Sequence, residues 1–178
     1  MRFFDYATDR VDMELTVVQG DIADQSADAL VNAAGTSLRM GSGVAGALRR
    51  GAGGGINDAA MEQGPIDLGA VAVTDAYDLD ASYVIHAAAM PHYGDGRATK
   101  ESIRSATRNA LERADDLGCE SIVIPALGCG VAGFDLAAGA GLIADQIRDY
   151  DPETVSDVRL IAFSDEEYET IRAAVAER

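Results

Sequence analysis

Hydrophobic positions along this chain follow two periods. Residues 14–18, 29–32, 69–74, 83–86, 121–124 and 158–163 are short apolar or alternating runs bounded by glycine, aspartate or proline, and each predicts a strand. Between them the spacing becomes helical. Over 99–117, Ile103, Ala106, Ala110, Leu111, Ala114 and Leu117 share one face; over 136–147, Leu136, Ala140, Ile143 and Ile147 do the same, with Pro152 beyond. Residues 44–50 and 56–63 are helical in composition, separated by the glycine-rich 51–55, and 21–28 predict a brief helical turn or a loop. Ser164 and Glu167 stand at capping-box spacing, with Phe163 and Tyr168 placed as a hydrophobic staple, so a last helix begins at about Asp165. Strands alternating with helices predict an α/β sheet covered on both faces. It is expected to be mixed, because several early strands lack a crossover helix between them. No linker interrupts the pattern, and 1–178 reads as a single domain.

Composition changes the picture through charge. Thirty acids against fourteen bases give a formal net charge of -16, and Lys100 is the only lysine. A nucleic-acid-binding surface would be basic, so nucleic acid is not an expected partner. The acidic, lysine-poor balance resembles that of extreme halophiles, where a Debye length of roughly 3 Å at about 1 M salt quenches self-repulsion. No apolar run reaches the roughly 18 residues of a membrane span, and the charged N-terminus is unlike a secretory signal. Cys119 and Cys129 make neither a metal pattern nor a disulfide framework, so the expectation is a reducing cytoplasm, no metal and no membrane.

Two glycine loops carry the candidate chemistry. Residues 41–46 read GSGVAG and residues 128–133 read GCGVAG, the second between a strand and a helix. Such a junction aims backbone N–H groups and the positive end of a helix dipole at an anion, typically a phosphate. Each loop matches the dinucleotide pattern G-x-G-x-x-G. The acid that pattern requires about 20 residues on falls before the strand 158–163 and not after it, which disfavours a dehydrogenase. No lysine follows either loop, which excludes a Walker-type site, and the arginine that a thiolate phosphatase built on Cys129 would need is missing. With Asp21 and Ile22 after the first strand, Asn32 at the end of the second and Phe163 after the last, the two loops are expected to hold one nucleotide at the carboxyl ends of the strands.

At these residues the chain resembles the macro domain family. The matching pieces are VVQGDI at 17–22, ALVNAA at 29–34, GSGVAGAL at 41–48, YVIHA at 83–87, IPALGCGVAGFD at 124–135 and LIAFSDEEYE at 160–169, in order along essentially the whole chain. The resemblance implies a three-layer α/β/α fold with a central mixed, twisted sheet, and ADP-ribose or a close relative as ligand, with no cofactor required. It implies that Asp21 accepts a hydrogen bond from the adenine amino group beside the Ile22 amide, and that Phe163 lies against the adenine face. The backbone of Ser42, Gly43 and Val44 on one side, and of Gly128, Cys129, Gly130, Val131 and Ala132 on the other, would hold the diphosphate. Asn32 in the family ties loops together, while a second asparagine of that motif reads the distal ribose.

Here the second position is Gly35, and two further distal-ribose positions are also small. Ala45 stands where MacroD-type hydrolases carry an aspartate, and Ala132 where many members place an aromatic ring. The adenosine and diphosphate half is kept; the ribose half is expected to be emptied. This weakens the hydrolase reading, because that chemistry depends on positioning water and the ribose ring. His92 and Asp95, in the loop after the strand 83–86, are the candidate bases that would replace the missing groups. His86, within an apolar strand, is expected to be a hydrogen-bonded core residue. The sequence therefore supports a binder of ADP-ribose or a derivative, with hydrolysis of ADP-ribosyl or O-acyl-ADP-ribose linkages as a further activity. The alternative is a non-catalytic module that recognises a nucleotide or an ADP-ribosylated protein, and the charge argues against a nucleic-acid-binding macro domain.

Overall fold

The computed structural model describes residues 11–92, 95–130 and 132–178. Six strands, β1 (Glu14–Gln19), β2 (Ala29–Gly35), β3 (Val71–Asp75), β4 (Tyr83–Met90), β5 (Ser121–Pro125) and β6 (Asp157–Ala162), form one sheet in the order β1-β6-β5-β2-β4-β3. All neighbouring pairs are parallel except the edge pair β3–β4. The sheet is mixed, as expected, through that one edge strand. Five helices accompany it: α1 (Gly43–Ala52), α2 (Ile56–Gln63), α3 (Lys100–Asp116), α4 (Leu136–Asp149) and α5 (Asp165–Ala176).

Side-chain alternation sorts the helices into two layers. On one face, Val31, Ile85, Ile122, Ile124 and Leu160 pack with Ile103 and Leu111 of α3, Ile143 of α4 and Ile171 of α5. On the other, Leu30, Val84, Val123 and Ile161 pack with Leu48 and Ala52 of α1 and Ile56 of α2. The central strands are buried on both sides and therefore read as nearly continuous apolar runs. This is the three-layer arrangement expected. Among the described residues, no helix is long and apolar enough to cross a membrane.

Two strands run further than the sequence pattern indicates. β2 continues past Asn32 to Gly35 and β4 past His86 to Met90, paired through Ala33↔Ala87 and Ala34↔Ala88 before the register shifts at Gly35. Alanine has little strand preference, so these extensions are set by pairing between neighbours and by burial beneath helices. Capping follows the sequence closely. Thr99 and Ser102 form a capping box at α3, and Ser164 and Glu167 one at α5. The staple does not accompany it: Phe163 is 72% exposed, while Tyr168 packs against the larger core. At the far end of α3, Asp115 accepts hydrogen bonds from the Tyr150 hydroxyl and from the amides of Glu153, Thr154 and Val155. Burial raises its pKa, but those donors outweigh burial and hold the carboxyl below its ordinary value.

Candidate functional site

The carboxyl ends of the five parallel strands open onto one cleft of about 490 Å³. That volume suits a nucleotide-sized ligand, and the place is where open α/β sheets bind theirs. Asp21 and Ile22 follow β1, Ala33 and Ala34 end β2, Met90 ends β4, and Phe163 follows β6; all line the cleft. Asp21 caps a single 3-10 turn, Ile22–Asp24, with one carboxylate oxygen accepting the Ala23 amide at 2.9 Å. Its other oxygen makes no hydrogen bond among the described residues. Phe163 is fixed from behind: its amide donates to Glu167 Oε2 at 3.0 Å, so the α5 capping box sets the ring at the cleft mouth.

Both glycine loops reach this one cleft, from opposite sides. In the first, Ser42, Gly43 and Val44 line it at the start of α1. Ser42 is extended and makes no side-chain cap. The amides of Gly43, Val44 and Ala45 therefore have no hydrogen-bond partner among the described residues, which leaves the positive end of α1 open to an anion. A methyl carried by Gly43 would meet nothing within 4 Å.

In the second loop, Gly128, Cys129, Gly130 and Ala132 line the cleft; Val131 lies outside the described residues. Here the helix end is capped: Asp135 accepts the Ala138 amide at 2.9 Å and sets a carboxylate at the start of α4. The helix terminus left without a side-chain cap is that of α1, whereas the one following the second loop carries the Asp135 carboxylate. Gly128 holds φ +77, and a methyl on it would stand 2.7 Å from Ala98 Cβ. The Cys129 side chain packs on Gly139 of α4, its Sγ 3.5 Å from the Leu127 carbonyl oxygen. Burial, then Asp135, pushes its thiol up to about 11, so it carries no nucleophilic thiolate at neutral pH.

Other sequence-selected residues stand apart from the cleft. Asn32 is 1% exposed and does not line it; its Nδ2 donates to His86 Nδ1 at 3.0 Å, and His86 Nε2 meets Thr74 Oγ1 at 2.9 Å. His86 is thus the core histidine expected, its pKa lowered to about 4 by burial. Gly35 and Ala45 also lie off the cleft wall. A side chain at 35 would meet the Pro91 carbonyl oxygen at 3.1 Å, and Ala45 faces the core with Leu48 and Ala52. Of the three small residues expected to empty the ribose end, only Ala132 lines the cleft. The cause is rotational phase in α1, which turns Val44, Ala47 and Arg50 outward, and the cover that the Pro91 backbone lays over the end of β2. His92 and Asp95 do not line the cleft. The His92 amide donates to Thr36 Oγ1 at 3.1 Å and its Nδ1 lies 2.9 Å from Ser37 Oγ, while the Asp95 amide donates to the His92 carbonyl at 3.0 Å.

Ala47, Arg50, Met90, Leu136, Glu167 and Ile171 line the cleft without having been singled out in the sequence. For Ala47 and Arg50 a signal existed, since positions 44, 47 and 50 follow one another along a helix at three-residue steps.

Known proteins share this fold. Residues 31–143 match the Macro domain family model. The chain is 39% identical to a Mycobacterium tuberculosis protein over 94% of its own length and 46% of that protein's, so it spans about half of that relative. A Saccharolobus solfataricus protein is 36% identical over 90% of this chain and 92% of its own. Among solved structures, the Oceanobacillus iheyensis macrodomain with ADP superposes with a TM-score of 0.85 at 26% identity, over 95% of this chain and 93% of that one. The Trypanosoma brucei macrodomain in complex with ADP-ribose gives 0.83 at 26% identity, over 96% and 72%. With the six-stranded mixed sheet, the paired glycine loops and the cleft between them, these matches establish that the chain belongs to the macro domain family.

Proposed function

We propose that this chain binds ADP-ribose, or a derivative of it, in the cleft at the strand ends. The observation that carries the reading is convergence: Asp21, Phe163 and both glycine loops, far apart in sequence, line the same cleft. Adenine lies between Asp21 with Ile22 and the Phe163 ring, a stack worth roughly 1–3 kcal/mol on nucleic-acid magnitudes. The diphosphate sits at the open amides of α1, opposite the second loop. Solved macrodomains holding ADP and ADP-ribose support the same assignment. An ADP-ribosylated protein is a partner of the same chemistry. The finer reading of the composition is a protein of a reducing cytoplasm, supported by the free Cys119 and Cys129, and adapted to molar salt, supported by the net charge of -16.

Calorimetry tests the assignment. ADP-ribose binds more tightly than AMP, and Asp21→Ala weakens it by about tenfold through loss of a charge-assisted hydrogen bond. ADP-ribose binding no better than AMP removes the ligand assignment; an unchanged Asp21→Ala affinity removes the adenine role.

Hydrolysis of an O-acyl or ADP-ribosyl linkage is the second reading. What supports it is position along the sheet: the backbone of Pro91 and His92 packs over Gly35 at the end of β2, outside the cleft lining, with His92 Nδ1 2.9 Å from Ser37 Oγ. Release of acetate from O-acetyl-ADP-ribose measures it, and no release from the wild-type protein removes it.

A further inference from the structure

The cleft lies in a strongly anionic protein, and among its described lining residues one side chain is cationic. Of its described lining residues, Asp21 and Glu167 are acidic and only Arg50 is basic. Arg50 is exposed, and among the described residues it forms no ion pair or hydrogen bond. Its neighbour Arg49 differs, because Nη1 of that side chain is held by the Met40 carbonyl at 3.1 Å.

The Arg50 side chain runs back along α1, as long side chains on helices do. A methyl at Gly46 would stand 3.2 Å from Arg50 Nη1 and 3.1 Å from the Gly41 carbonyl oxygen. The missing side chain at 46 is therefore the space in which the guanidinium lies, beside the first turn of α1 and its open amides. We propose that Arg50 is a specificity residue that reads the charge of the ligand, completing with its guanidinium the phosphate grip begun by the backbone of residues 42–44. This rests on the cleft being a site for a nucleoside diphosphate. It adds a side-chain contact to a grip otherwise made of main chain, at a position where lysine would give a point charge and arginine gives a planar fork matched to phosphate oxygens.

The test is a set of titrations of wild type, Arg50→Gln and Arg50→Lys with adenosine, AMP, pyrophosphate and ADP-ribose, at about 0.15 M and about 1 M salt. Expected is a loss of about 5–20-fold for Arg50→Gln with the three phosphate ligands at the lower salt, shrinking at the higher, with adenosine unchanged and Arg50→Lys partly restored. Equal ADP-ribose affinity in wild type and Arg50→Gln at both salts overturns the role of Arg50 and leaves the ADP-ribose reading standing, as does an equal loss for adenosine. Failure of wild type to bind ADP-ribose, with pyrophosphate and AMP still dependent on Arg50, overturns the ADP-ribose reading and supports the phosphate role. Binding of none of the four overturns both.

Discussion

The tetrapeptide GVAG occurs twice in the chain, as residues 43–46 and 130–133, and the fold puts the two copies to different uses. The first is the opening turn of α1, with Ser42 uncapped before it and free amides at the cleft. The second ends before α4 begins, and Asp135 closes that helix. The corresponding alanines diverge accordingly, since Ala45 faces the core and Ala132 faces the cleft. The lesson is that a glycine motif supplies approach, while the residue at the helix cap decides whether the dipole is available.

The largest expected effect separates the loops by packing. Gly128→Val forces a left-handed backbone onto a branched side chain and drives it into Ala98 and Ile103, a loss of about 2–5 kcal/mol in urea unfolding. A loss under 1 kcal/mol would mean that the second loop is not anchored on α3. Acid acts next, on the β2–β4 floor behind both loops. His86 is fully buried with a pKa of about 4 against 6.5 when unfolded, so the folded state takes up fewer protons between those values. Its contribution is complete above pH 6.5 and lost as pH falls to about 4, up to about 3 kcal/mol. Asp115, held below its ordinary pKa, adds loss of the same sign at lower pH. A stability profile flat from pH 7 to 4.5 would contradict the buried neutral imidazole. Third, Asp135→Ala costs about 1 kcal/mol of stability by uncapping α4, whereas Ser42→Ala, which removes no cap, costs less than about 0.5. Equal costs would erase the distinction between the two helix ends. Smallest is Gly130→Ala. A methyl there meets nothing within 4 Å, so stability holds within about 0.5 kcal/mol while ADP-ribose affinity falls.

Much of this was legible from residue order. The six strands, the helix faces, the α5 capping box and the meeting of both loops at one nucleotide-sized cleft all follow from periodicity and punctuation. What was not legible depends on neighbours distant in sequence. The alanine-rich ends of β2 and β4 are strands only because they pair with each other. Arg50 shares a helical face with Val44 and Ala47, but that this face meets the cleft depends on the distant strand ends and second loop that line it. The reading of Gly35 as vacant space failed for a related reason: a missing side chain says nothing about which backbone comes to lie there.

With Pro91 oxygen 3.1 Å from where a Cβ at 35 would stand, and Thr36 and Ser37 both bonded to His92, the end of β2 and the loop after β4 are one interdependent unit. A side chain at 35 would therefore meet the Pro91 backbone first, so a substitution there is felt in the loop after β4 as much as at the end of β2.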